Sequence, residues 1–375
     1  MAAAAQPTPE CPDVPGPPVV GNTLQILRDP GGFFPKAYRR HGPVFRVRVA
    51  GTRYTVLAGQ EAVDFYNRNG EAHLSRDGFY ERFGRELGTD NFVLGQPPDA
   101  QRDLRRKIRR GLSRQVAASF VPDMIAAVDR SIDAIPANAS VAALDIFGAI
   151  SFEQYGHLLC NRSIGAVLPD AQRFTRHAMN VGTRLWPAIA LHDPRYKASR
   201  TRVFRYLEQL VAEPRRTDSD GGDTDRAAAP YTLLDALREA RTDEGESMPD
   251  REVIACSLYG FVGSLVYMDR AVAYLLYHLL SDDDLKQRAT TEADAAFADG
   301  HFDITSAREL RFLRAAFQEA LRCHPIALAL PFIADADFEF EGHLVSAGEC
   351  VVVCGVPMMY SERFHACPHA FDPDR

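Results

Sequence analysis

A net charge of −7 over 375 residues argues against a chain that binds nucleic acid through overall positive charge. With 46% hydrophobic and 25% charged residues, the composition is that of a globular protein and leaves room for one large domain or two. Seven cysteines (Cys11, Cys160, Cys256, Cys323, Cys350, Cys354 and Cys367) are odd in number and unpaired in spacing, which speaks against a disulfide scaffold and for a reducing compartment.

The N-terminus, Met-Ala-Ala-Ala-Ala-Gln-Pro, has neither a basic start nor an apolar run. No signal peptide or membrane anchor is expected there, and the cytoplasm is the expected compartment. Residues 1–14 read as a flexible, proline-rich lead-in. Residues 44–58 alternate apolar and polar around Ala50-Gly51 and predict a β-hairpin. Apolar recurrence at three and four then predicts helices over 102–119, 121–135, 150–159, 171–181 and 198–212, with Pro187 and Pro194 breaking the segment between the last two. Residues 214–230 are polar, glycine-bearing and without apolar anchors, and predict a mobile surface loop. A helix is expected at 232–241. Asp250 is then expected to cap a long one over 251–280, too mixed in composition for a bilayer span and better suited to a buried core. Two further helices precede one carrying Glu319, and a second hairpin is expected near 338–353. The fold class is therefore mainly α with small β-hairpins, and no internal repeat is present.

Chemistry concentrates at the C-terminal end. Glu319-Ala-Leu-Arg322 places a carboxylate and a guanidinium on one helix face, and Phe371-Asp-Pro-Asp-Arg375 closes an irregular loop that could bring a second arginine to the same carboxylate. A lone Glu-x-x-Arg is common on exposed helices and means little. Here it stands in a series of more than sixty residues: Glu-x-x-Arg-x-His-Pro, a Phe-Glu-Gly turn, an Ala-Gly turn, then Phe-x-Pro-x-Arg. That series resembles the cytochrome P-450 superfamily, the haem-thiolate monooxygenases. The order Gly-Asn, Asp-Pro-Gly-Gly-Phe, His-Gly-Pro-Val-Phe and hairpin resembles the opening of the same family, so the resemblance runs from about Pro15 to Arg375.

The resemblance implies one P-450-like domain over 1–375, a haem cofactor, a small apolar organic substrate and an electron donor of ferredoxin or flavodoxin type. It makes Glu319, Arg322 and Arg375 a structural triad. In the family the iron-ligating cysteine follows the meander arginine in a Phe-x-x-Gly-x-x-x-Cys loop, and all seven cysteines here precede Arg375. The expectation is a C-terminally truncated form, lacking that loop and the next helix, with no metal ligand of its own and unable to hold haem. The long helix matches the family's distal helix, called I, through its ending Ala-Tyr-Leu-Leu-Tyr-His-Leu-Leu. In that register the family's Ala-Gly-x-Asp/Glu-Thr-Thr reads Gly-Ser-Leu-Val-Tyr-Met, residues 263–268. Gly263 and Ser264 keep the small pair, but Val266 and Tyr267 replace the acid and alcohol that relay protons during oxygen activation. Gly263, Ser264 and Tyr267 are the candidate catalytic positions; a buried helix with ordinary small residues is the plainer reading. Gln101 and Arg105 match the positions that reach haem propionates, although Gln101 carries no charge. The cations that follow, Arg106 to Arg114, would face the electron donor or simply solvent. The arginine that the family places after the Glu319 helix is absent from Leu330-Pro331-Phe332. His365-Ala-Cys367-Pro-His369 lacks a second ligand pair and does not read as a metal site. Two other readings stay open: a non-catalytic remnant or interaction protein, and a haem isomerase or peroxygenase that dispenses with the proton relay.

Overall fold

A computed structural model describes residues 10–18, 20–76, 79–89, 96–214, 230–242, 245–300 and 302–375. Most of the loop expected at 214–230 lies outside these residues, as do positions 1–9 of the expected lead-in.

Strands β1 (Val44–Val49) and β2 (Thr52–Ala58) pair antiparallel from Val44↔Leu57 to Val49↔Thr52. Ala50 and Gly51 both have positive φ, 47° and 85°, the combination that a two-residue hairpin turn of matching twist requires. The lead-in is corrected over its described residues. Val14 N–H donates to the Arg46 carbonyl at 2.8 Å, Arg46 N–H donates to Pro12 at 2.8 Å, and Cys11 is buried. The free edge of β1 needs hydrogen-bond partners, and an extended proline-rich backbone can supply them.

The hairpin expected over 338–353 is shorter. It consists of β5 (Phe338–Phe340) and β6 (His343–Val345), turning at Glu341 and Gly342. The strand that follows, β7 (Cys350–Cys354), leaves it. β7 runs parallel to β2 and antiparallel to β4 (Leu330–Ala334), and β3 (Leu74–Ser75) completes a five-stranded sheet of order β1-β2-β7-β4-β3. Cys-Val-Val-Val-Cys is apolar at every position, as suits a central strand covered on both faces. Val351 and Val353 enter one core layer, with Leu57 and Phe332; Cys354 enters the other, with Phe45 and Val56.

The helical part is built round helix Asp250–Ser281, 32 residues long. By length and composition it could cross a membrane, yet 61% of its most apolar window is buried in the protein's own core. Asp250 is its first helical residue, with Pro249 at the cap position expected for Asp250. Helices Ala143–Cys160, Leu168–Gly182 and Pro194–Ala212 surround it, joined by Phe152, Phe174, Leu207 and Phe261. Pro194 opens its helix: Asp193 Oδ1 accepts the Arg195 N–H at 2.8 Å, and proline suits the first turn, whose N–H groups have no partner in the helix.

The helix expected over 102–119 is two, Pro98–Ile108 and Arg114–Ser119. Gly111, between them, meets helix Leu233–Glu239 so closely that a Cβ would lie 2.8 Å from Ala236 Cβ and 2.9 Å from Leu233 Cα. Ser113 then caps the second helix through the Val116 N–H.

Candidate functional site

The long helix changes period at residues 263–268, where Gly-Ser-Leu-Val-Tyr-Met forms a π segment. Such a segment widens one turn and leaves carbonyls short of partners. Side chains answer them. Ser264 Oγ donates to the Gly260 carbonyl at 2.7 Å, and Arg270 Nη1 donates to Val266 at 2.9 Å and Leu265 at 3.3 Å. Asp269 is buried beside Arg270 at 3.0 Å; burial pushes its carboxyl up against the pull of that cation.

A cavity of about 530 Å³ opens against this segment. The long helix contributes Tyr259, Val262, Gly263, Val266 and Tyr267. The sheet contributes Val47, Val49, Tyr54, Val56 and Val352, and the strip Ile326 to Pro331 faces the helix across the space. Phe79, Tyr80, Met179, Asn180, Thr183 and Leu185 close the remaining side. No charged side chain lines it among the described residues. A Cβ built on Gly263 meets nothing within 4 Å, so the helix wall is open and flat there. Burial pushes the phenols of Tyr54 and Tyr80 up to about 12, and burial raises Tyr267 against the nearby Arg270, so all three are neutral hydrogen-bonding groups.

Of the candidate positions, Gly263 and Tyr267 line the cavity and Ser264 does not, its hydroxyl being turned to its own helix. Gln101 and Arg105 also lie off the lining. Gln101 is buried and donates to the Gln96 carbonyl at 2.8 Å, while Arg105 is exposed. Several neighbouring cations are paired: Arg102 with Asp99, Arg106 and Lys107 with Asp103, and Arg110 with Glu239. Arg105, Arg109 and Arg114 are exposed and carry no ion pair among the described residues. Sequence reasoning missed Tyr54, Phe79, Tyr80 and Leu185. They come from three separate stretches, and nothing local marks those stretches as neighbours.

Glu319, Arg322 and Arg375 converge. Glu319 accepts from Arg322 Nε at 2.8 Å and Nη2 at 2.7 Å, from Arg375 Nε at 3.1 Å and from the Asp372 N–H at 3.0 Å. Arg322 also donates to the carbonyls of Met359, Pro368 and Ala370 at 2.7, 2.7 and 3.0 Å. Arg375 holds the carbonyls of Ala366 and Ala370 at 2.8 and 3.1 Å. The loop is thus fastened to the helix by guanidinium forks, which fit several acceptors at once.

The same loop reaches the long helix through stacked rings. Phe371 lies 4.0 Å from His278, Tyr274 lies 4.0 Å from His324, and the two imidazoles share an Nε2–Nε2 hydrogen bond of 2.9 Å. Burial lowers both histidines from 6.5; His324 lowers His278 further, and Glu319 opposes that. A histidine held below its unfolded pKa contributes stability above that pKa and loses it as pH falls. Thermal stability is therefore expected to drop as pH falls below 6.5. His278→Phe is expected to flatten that part of the profile, and an unchanged slope in melts taken from pH 5 to 8 would count against the pair as its source.

The family model described as Cytochrome P450 matches residues 12–375. A lanosterol 14-alpha demethylase of Cunninghamella elegans is 21% identical over 352 residues, 91% of this chain and 67% of its own length. A cyclooctat-9-en-7-ol 5-monooxygenase of Streptomyces melanosporofaciens is 20% identical over 367 residues, 96% of this chain and 77% of its own. The solved structure of a retinoic acid bound cyanobacterial CYP120A1 superposes with a TM-score of 0.80 at 18% identity, covering 98% of this chain and 82% of that one. With its mainly helical fold, π-broken central helix and fastened C-terminal loop, the chain belongs to the cytochrome P450 family.

Proposed function

We propose that the chain carries the substrate-binding side of a haem-thiolate monooxygenase acting on an apolar organic molecule. The observation that carries this reading is the apolar cavity laid against the π segment of the long helix. About 530 Å³ falls in the range of roughly 300–1,000 Å³ usual for small-molecule sites. Gly263, Val262 and Val266 leave a smooth wall for a flat ligand, and Tyr80 and Tyr267 supply neutral hydroxyls to orient a substrate. Arg105, Arg109 and Arg114 provide exposed positive charge for a ferredoxin or flavodoxin-type donor. Seven unpaired cysteines favour the cytoplasm.

The residues present fit haem on one side only. The open face at Gly263 suits a macrocycle, but none of the seven cysteines lines the cavity. Cys256 and Cys354 are buried, with thiols pushed up to about 12 by burial, and Cys350 accepts from Arg184. A thiolate is the group that tunes haem for oxygen chemistry in this family, and residues 1–375 do not bring one to the cavity. These residues by themselves therefore support no catalytic step through haem. Val266 and Tyr267 in place of the acid–alcohol pair also favour a second reading, haem chemistry that needs no proton relay, such as isomerase or peroxygenase action.

Haem titration with a carbon monoxide difference spectrum tests the proposal. Residues 1–375 alone are expected to give no thiolate-type Soret band. A chain extended past Arg375 by the family's ligand loop and following helix is expected to give one. A band from residues 1–375 would show that one of the seven cysteines ligates iron, with Cys367→Ser the first variant to examine. No band from the extended chain would remove the monooxygenase reading.

A further inference from the structure

One cation at the edge of the cavity has no counter-charge. Arg184 lies between Thr183 and Leu185, both of which line the cavity. It is half-buried, and its backbone sits at φ 60°, a left-handed conformation that is costly for a residue with a side chain and that clusters at ligand clamps. Its guanidinium carbon lies 5.2 Å from the Phe79 ring, and Nη1 donates to Cys350 Sγ at 3.3 Å. No carboxylate contacts it among the described residues. Phe79 and Tyr54 are lining residues, and Tyr54 feels the Arg184 charge.

Two other arginines packed into the fold do reach a carboxylate. Arg46 pairs with Glu349 at 3.1 Å, and Arg322 pairs with Glu319 at 2.7 Å. Arg184 has five donors and gives one to a thiol, a weak acceptor. A charge beside an apolar wall is costly unless it is paired. The cavity's phenols cannot serve as counter-ions, because they are neutral near pH 7.

We propose that Arg184 binds the carboxylate of the substrate, which is a monocarboxylic acid with a long apolar body lying along the cavity. A guanidinium fork matches the two oxygens of a carboxylate, and a single cation suits a singly charged head. The proposal rests on reading the cavity as the substrate site and adds the chemical class that the site selects.

The 375-residue chain is titrated with a conjugated polyene fatty acid that fluoresces in apolar surroundings, and with its methyl ester. The acid is expected to bind about tenfold or more tightly than the ester, the usual scale for a hydrogen bond to a charged group. Arg184→Met is expected to weaken the acid about 10- to 100-fold and leave the ester unchanged, with Arg184→Lys falling between. Equal binding of acid and ester by the unmodified chain would overturn the assignment while leaving the cavity reading intact. So would an Arg184→Met variant that weakens both alike. Binding of neither probe would overturn both. The acid-to-ester ratio of the unmodified chain needs no variant, so a folding defect in Arg184→Met does not shield the idea.

Discussion

Glu319→Gln is expected to lower the stability of the chain by about 3–5 kcal/mol, the usual cost of removing one partner from a buried charge pair. Glu319 is 5% exposed and Arg322 9% exposed, so the variant leaves the buried Arg322 guanidinium facing a neutral amide, with the more exposed Arg375 beside it. With unfolding entropy of roughly 2.1 cal/mol/K per residue, that loss corresponds to a fall in Tm of about 4–6 °C. Arg322→Lys is expected to cost a similar amount. An ammonium cannot hold Glu319 with two prongs while also reaching Met359, Pro368 and Ala370. Burial alone would raise the Glu319 carboxyl, but Arg322, the Asp372 N–H and Arg375 together bring it below its ordinary 4.5. A depressed carboxyl contributes stability above that value and loses it as pH falls. The gap between Glu319→Gln and the unmodified chain should therefore be full at pH 7 and narrow below pH 4.5. A gap that stays constant down to pH 3 would mean that the carboxylate charge is not what holds the loop.

Gly260→Ala and Gly263→Ala, three residues apart on one helix, are expected to behave oppositely. A Cβ at Gly260 would lie 2.0 Å from two ring atoms of Tyr155. That ring is half-buried against Phe261 and tied by its hydroxyl to the Ser257 carbonyl at 2.7 Å, so it has little freedom to swing away. Overpacking of this kind costs about 1–3 kcal/mol and more where the neighbour is held, which exceeds the roughly 1 kcal/mol that alanine gains over glycine in a helix. At Gly263 there is no atom to meet. Gly263→Ala is expected to keep or slightly raise Tm while weakening the binding of apolar ligands, because the methyl group enters the cavity. Denaturant melts of both variants, with ligand titration of the second, separate the outcomes. Unchanged ligand affinity in Gly263→Ala would show that the open wall is not used.

Much of the fold was legible because the cues are local. The hairpin at 44–58 follows from alternation around Ala50-Gly51, and most helices follow from their three-and-four spacing. Their ends were less legible: Gly111 splits one expected helix because helix Leu233–Glu239 presses against it, a contact made from more than a hundred residues away. Pro194 looks like a break in isolation and acts as a helix start once Asp193 caps it.

By itself, the sequence determined the family and the helix–loop anchor, because Glu319, Arg322 and Arg375 stand in one short ordered motif whose spacing carries the geometry. It also located the unusual segment 263–268, since the missing acid and alcohol are visible as residue identities. Only the tertiary structure decided which of those side chains face the cavity. Ser264 turns to its own helix, whereas Gly263 and Tyr267 look inward, a difference set by the π turn. It also decided that β7 joins β2, a pairing across some three hundred residues, and that Arg184 stands beside Tyr54 and Phe79 without a carboxylate. Local periodicity reports which face of an element is apolar. It does not report which distant element covers that face, because long-range pairing depends on the closure of the whole chain.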